Sequence, residues 1–227
     1  MQFNQQPNQR VITPTRTILQ TNTMLRKTYL LLAGTLLFSA LCAAFAMASN
    51  AAPLNPILLL VVFIGGPFLV MGLRNNPIMG LVAIFAYTGI IGYTLGPIVN
   101  FYLHEYANGG QLVFTALGGT GAIFVGLSAY ALITKKDFSY LAGFVFGGII
   151  CAFVLGLAAM IFHMPILSLF VSAAFMLLSC GIILYQTSLI IHGGETSYIM
   201  ATLNIYIALV NIFLSLLRIL GAFSNRN

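Results

Sequence analysis

Acidic residues are almost missing from this chain: Glu105, Asp137 and Glu195 are the only three among 227 residues. An intramembrane protease of the two-aspartate type needs a carboxylate pair. A metal-dependent one needs His, Cys, Asp or Glu at ligand spacing, and neither set can be assembled here. Charge of either sign is scarce, at 5% of residues, where a soluble domain carries about a quarter. Cysteine is limited to Cys42, Cys151 and Cys180, odd in number and each inside an apolar run. They read as small packing residues, not as a disulfide framework or a zinc site. The run Gly118-Gly119-Thr120-Gly121 lies in an apolar segment and lacks the Lys of a phosphate-binding loop. Serines in the apolar segments have no neighbouring His and Asp partners. The expectation is a protein without catalytic residues, metal or cofactor, and so not an enzyme.

Apolar surface is what the chain has in abundance. Sixty per cent of it (60%) is hydrophobic, and the mean hydropathy is +1.02. A soluble protein must cover its core with polar groups, and this composition cannot, so the solvent is a lipid bilayer. Apolar segments run over residues 28–49, 56–73, 78–103, 111–133, 138–162, 166–191 and 198–222, each close to the roughly 20 residues that one helical span requires. Within lipid the backbone must satisfy its own hydrogen bonds, which makes these segments helices. Their short connections make sequential helices antiparallel neighbours. The expected fold is an all-α membrane protein, a bundle of seven transmembrane helices over residues 28–222.

Residues 1–27 are polar, rich in Gln, Asn and Thr, with Pro7 and Pro14. They are expected to form a flexible tail, and residues 223–227 a short terminus on the opposite side. Arg26-Lys27, the apolar stretch and Ala46-Met47-Ala48 also resemble a cleaved secretory signal, but the leading polar region is too long and the apolar stretch exceeds a signal's. The net charge of +6 points to orientation in a membrane and not to nucleic acid, because the basic residues gather at span ends. Arg10, Arg16, Arg26, Lys27, Arg74, Lys135 and Lys136 all fall on one side. Arg218 and Arg226 fall on the other. This asymmetry predicts a cytoplasmic N-terminus and a periplasmic C-terminus.

Polar residues within the spans mark the faces that point inward. In the last span Ser197, Ala201, Asn204, Ala208, Asn211, Ser215 and Arg218 recur at alternating steps of four and three, one continuous helical face. In the sixth, Ser168, Ser172, Ser179 and Gln186 form a second stripe. The turn from His192 through Glu195 to Ser197 joins the two spans as an antiparallel hairpin. Gln186 and Asn204 each lie roughly 9–10 Å below it at 1.5 Å per residue, so an interhelical amide pair is expected at the cytoplasmic end of a polar seam. The seam is either helix-to-helix glue or a water-accessible path with a gate. Arg218 is expected to snorkel at the outer end. The glycines of 118–126 and 143–148 suggest close helix packing, and Pro97, flanked by glycines, suggests a kink in the third span.

Three separated segments, Met24-Leu25-Arg26-Lys27-Thr28-Tyr29, Gly92-Tyr93-Thr94-Leu95-Gly96-Pro97-Ile98 and Ile190-Ile191-His192-Gly193-Gly194-Glu195-Thr196-Ser197-Tyr198-Ile199, resemble the Bax inhibitor-1 (transmembrane Bax inhibitor motif) family, and its bacterial YccA-like branch in particular. The resemblance implies a seven-helix bundle with the last helix enclosed by the other six. It also implies a calcium leak governed by pH through one aspartate on the sixth helix and one on the seventh. Those positions fall on Gln186 and Ala208, which cannot titrate and supply no anionic oxygen to a hard cation. The YccA-like branch implies instead association with, and restraint of, the FtsH membrane protease in the inner membrane, with the N-terminal tail as a handle. A calcium or proton leak along the seam is the alternative.

Overall fold

The computed structural model describes residues 14–224, which form seven helices joined by short turns. They are α1 (Pro14–Ala48), α2 (Pro56–Leu73), α3 (Pro77–Glu105), α4 (Gly109–Thr134), α5 (Leu141–Ile161), α6 (Pro165–Ile191) and α7 (Tyr198–Ser224). Local chemistry explains several starts and stops. Asn55-Pro56 and Asn76-Pro77 open α2 and α3. Each Asn accepts a bond from a first-turn amide, Ile57 N at 2.9 Å and Ile78 N at 3.1 Å, and each Pro stands where no donor is needed. Pro165 opens α6 in the same way. Six helices are long and apolar enough to cross a membrane. With 18 residues, α2 reaches only about 27 Å at 1.5 Å per residue.

One boundary differs from expectation. The segment read as a flexible tail through Lys27 is helical from Pro14 onward, and α1 extends over 35 residues. Once a span is helical, adding a turn requires no new nucleus, so even a polar stretch continues it. The far end of this segment is also tied down. Lys27 Nζ lies 5.8 Å from the centre of the Tyr198 ring, and the Thr28 carbonyl accepts a bond from Thr202 Oγ1 at 3.2 Å. Residues 1–13 of the expected tail, and residues 225–227 with Arg226, lie outside the described residues.

Helix α7 is central. It packs on α1, α2, α3, α4 and α6, and its Leu203, Ile205, Ala208 and Ile212 are wholly buried. The enclosure is by five helices and not six, since among the described residues α5 packs on α6 alone. The outer faces of α1, α2 and α5 carry exposed Leu, Phe, Ile and Val, as lipid-facing helices require.

A close backbone approach joins α1 and α3. A Cβ on Gly92 would run into the Ser39 carbonyl, and one on Gly96 would lie 2.6 Å from the Ala46 methyl. Of the glycine clusters expected to do this elsewhere, Gly119 and Gly148 do approach a neighbour, an added Cβ lying 3.1 Å from Leu216 and 2.5 Å from Leu178, whereas Gly118, Gly121, Gly126, Gly143 and Gly147 have open space around them. Helix α3 continues through Pro97. All three cysteines are free, and Cys151 is exposed on α5.

Candidate functional site: a polar seam between the last two helices

The two polar stripes read from the sequence meet. At the turn end, Asn204 Nδ2 donates to Gln186 Oε1 at 3.0 Å. Gln186 Nε2 donates to Glu195 Oε2 at 3.3 Å. A carboxylate can only accept, so it takes the NH2 of Gln186 and turns the amide oxygen toward Asn204. Gln186 is 1% exposed, so the pair lies inside the bundle.

The turn is built to deliver Glu195 there. Helix α6 ends at Ile191, Gly193 takes φ +74, and the amides of Gly194 and Glu195 return to the Leu189 carbonyl at 2.8 and 3.3 Å. This is the reversal that favours glycine after a helix. Glu195 Oε1 then accepts Ser197 N at 2.9 Å, while Ser197 Oγ accepts Met200 N at 3.3 Å. The carboxylate thus sits beside the N-terminus of α7, where negative charge is favourable.

His192, expected at the same turn, faces elsewhere. Its Nδ1 lies 2.9 Å from the Ser188 carbonyl. Ser188 Oγ in turn accepts Phe138 N at 3.0 Å and donates to the Lys136 carbonyl at 3.2 Å. His192 and Ser188 therefore fasten the α4–α5 connection to the end of α6. In that connection Asp137 accepts both the amide and the hydroxyl of Ser139. The Ser139 hydroxyl, then its amide, hold the carboxyl below the ordinary carboxylate range, with the nearby His192 a smaller influence.

At the other end of the seam, Arg218 Nη1 donates to Ser168 Oγ and Ser172 Oγ, both at 3.2 Å. The guanidinium is exposed yet turned onto α6, so it closes the seam as well as reaching the interface. Ser179 is buried midway, at 1% exposure. Asn211 is half-buried and lines a cleft of about 480 Å³ that continues to Arg218. Ala208 is wholly buried among apolar side chains.

Residues 21–225 match the family described as inhibitor of apoptosis-promoting Bax1. This chain belongs to the Bax inhibitor-1 family. It is 46% identical over 211 residues to the modulator of FtsH protease YccA of Escherichia coli (strain K12), covering 92% of this chain and 94% of that protein. The figures are the same for the inner membrane protein YccA of Escherichia coli O6:H1. A membrane protein of Vibrio cholerae is 41% identical over 209 residues, with 92% and 93% covered. As a member of the Bax inhibitor-1 family, the chain carries an amide and a methyl, Gln186 and Ala208, where the resemblance placed an acidic pair.

A second polar face of α7 was not anticipated. Tyr206, 1% exposed, shares a 2.7 Å bond with Ser39 Oγ and donates to the Thr88 carbonyl at 3.2 Å, linking α7 to both α1 and α3. Its ring meets Tyr87 edge-on at 6.4 Å. The signal was present in Tyr198, Thr202 and Tyr206, which recur every four residues and all contact α1.

Proposed function

We propose that this chain is a non-enzymatic inner-membrane protein that modulates an FtsH-type membrane protease. The observation that carries the reading is the 46% identity, over nearly the full length of both chains, to a protein named modulator of FtsH protease. The seam supports it. Its two ends are joined by direct side-chain hydrogen bonds, which suits a stable bundle presented to a partner.

We further infer a cytoplasmic N-terminus and a periplasmic C-terminus. Arg74, Lys135 and Lys136 stand at helix ends, Lys27 lies beside Tyr198 at the start of α7, and positive charge is retained on the cytoplasmic side. On that side α1 begins at Pro14, so residues 14–27 would meet the protease as a helix. The test is co-purification from membranes with turnover of FtsH substrates on overexpression. Enrichment of FtsH with slowed turnover is expected. Absence of both removes the reading.

The alternative, a calcium or proton leak along the bundle interior, draws on a different observation. Buried hydroxyls of Thr28, Tyr29, Tyr87, Ser128 and Thr187 have no hydrogen-bond partner among the described residues, and buried polar groups of this kind commonly bind water. Calcium flux into liposomes that is lost in Gln186→Leu supports this alternative, and flux no greater than in empty vesicles rules it out.

A further inference from the structure

Arg218 sits where two clefts meet. One, of about 360 Å³, lies toward the end of the bundle and is lined by Tyr102, Tyr106, Ser168 and Phe223. The other, of about 480 Å³, reaches inward to Asn211 and Phe175 and sideways, toward α2 and α5, to Leu59 and Gly156. Arg218 and Tyr102 border both. The inner cleft is polar at Ser172, Asn211 and Ser215 and apolar on its lateral side, at Leu59, Gly156 and Phe175.

The guanidinium is only partly used. Its Nη1 serves Ser168 and Ser172, whereas Nε and Nη2 have no partner among the described residues. Together they form the forked edge that grips two oxygens of a phosphate or carboxylate. The acid at this end, Glu105, is exposed and forms no ion pair with it among the described residues. The two tyrosines stack at 5.2 Å and are let close to α7 by Gly221, whose added Cβ would lie 2.7 Å from Tyr102. They make a flat wall beside the cation.

Depth and access identify the occupant. Arg218 lies six residues before the end of α7, and Ser168 three residues into α6, or about 9 and 4.5 Å at 1.5 Å per residue. That is the depth at which headgroups give way to acyl chains. The inner cleft opens sideways, because α5 touches neither α2, α3 nor α7. A chain from the bilayer can enter between α2 and α5 without passing through water.

We propose that this cleft binds one glycerophospholipid from the leaflet on the Arg218 side, with its phosphodiester on the free edge of Arg218 and an acyl chain in the apolar extension toward Gly156. A free anion would leave that extension unfilled, and an uncharged lipid would leave the guanidinium edge unpaired.

Native mass spectrometry of the full chain released from phosphatidylglycerol nanodiscs tests the assignment. One retained phospholipid per chain is expected. Arg218→Gln should lower its occupancy about tenfold, as loss of a charge-assisted contact implies. Gly156→Phe, which fills the apolar end from the peripheral helix, should lower it comparably. Lys136→Gln, at the opposite end, should leave it unchanged. Diacylglycerol with the same chains should not be retained, and millimolar inorganic phosphate should not displace the lipid. Full retention in folded Arg218→Gln, or in Gly156→Phe should the arginine variant not fold, overturns the proposal. Equal retention of diacylglycerol, or displacement by inorganic phosphate, overturns it as well.

Discussion

Asn204 donates to Gln186 across the α6–α7 interface at 3.0 Å, and Gln186 passes the bond on to Glu195 at 3.3 Å. The three residues act as a unit, so their substitutions should not add. Interhelical polar contacts in membranes contribute about 0.6 kcal/mol on average and up to about 1.7. A double-mutant cycle on Gln186→Leu and Asn204→Leu, followed by unfolding in mixed micelles, should return a coupling in this range. A coupling indistinguishable from zero would mean that the pair has no energetic role.

Tyr206 should matter more than its apolar surroundings suggest. Tyr206→Phe removes a hydroxyl shared with Ser39 and strands that buried serine, a loss of about 1–3 kcal/mol. Ser39→Ala leaves Tyr206 its bond to the Thr88 carbonyl and should destabilise less. The reverse ranking in thermal unfolding would contradict the network.

The glycines on α3 and α4 should respond in opposite ways. Gly92→Ala places a methyl against the Ser39 backbone, and overpacking of this kind typically costs about 1–3 kcal/mol. Gly118→Ala enters open space and should gain up to about 1 kcal/mol in helix propensity. Yield and melting temperature of the two variants decide the matter.

These outcomes show what was legible in the sequence. The seam was, because a polar residue in lipid has few places to point, and two stripes joined by a six-residue turn must meet. Tyr206 was hidden, since a tyrosine inside an apolar run counts as apolar until its hydroxyl finds a partner. The glycines of α4 and α5 were legible only in part, Gly119 and Gly148 packing closely and the rest not, for a related reason. A residue without a side chain leaves no mark of which face it occupies. The stretch from Pro14 to Lys27 looked disordered by composition, which takes no account of a helix already nucleated next to it. The guanidinium of Arg218 was expected to leave the bundle for the interface, and its bonds to Ser168 and Ser172 depend on a partner helix that spacing within α7 cannot reveal.

The Asp137–Ser139 turn should weaken in acid. Its carboxyl is held below the ordinary range by the Ser139 hydroxyl and amide, so its contribution is complete above the unfolded carboxylate's pKa. It is lost as pH falls through the lowered native one. Amide exchange at Ser139 should therefore quicken only at that lower pH. Ser139→Ala should raise the Asp137 pKa toward the ordinary value, as read by carboxyl-carbon NMR. An unmoved titration would show that the hydroxyl has no such effect.

The centrality of α7 sets the order in which this protein can be made. Chains fold as they emerge from the ribosome, N-terminal parts first, and α7 is the last of these seven helices to emerge. Until α7 is inserted, the five helices that enclose it face an unfilled middle. Gln186, Ser172 and Ser179 lack their partner stripe, and Ser39 and Thr28 await α7. A chain truncated before α7 would leave these polar groups without their partners. Closure of the bundle therefore waits on its seventh helix.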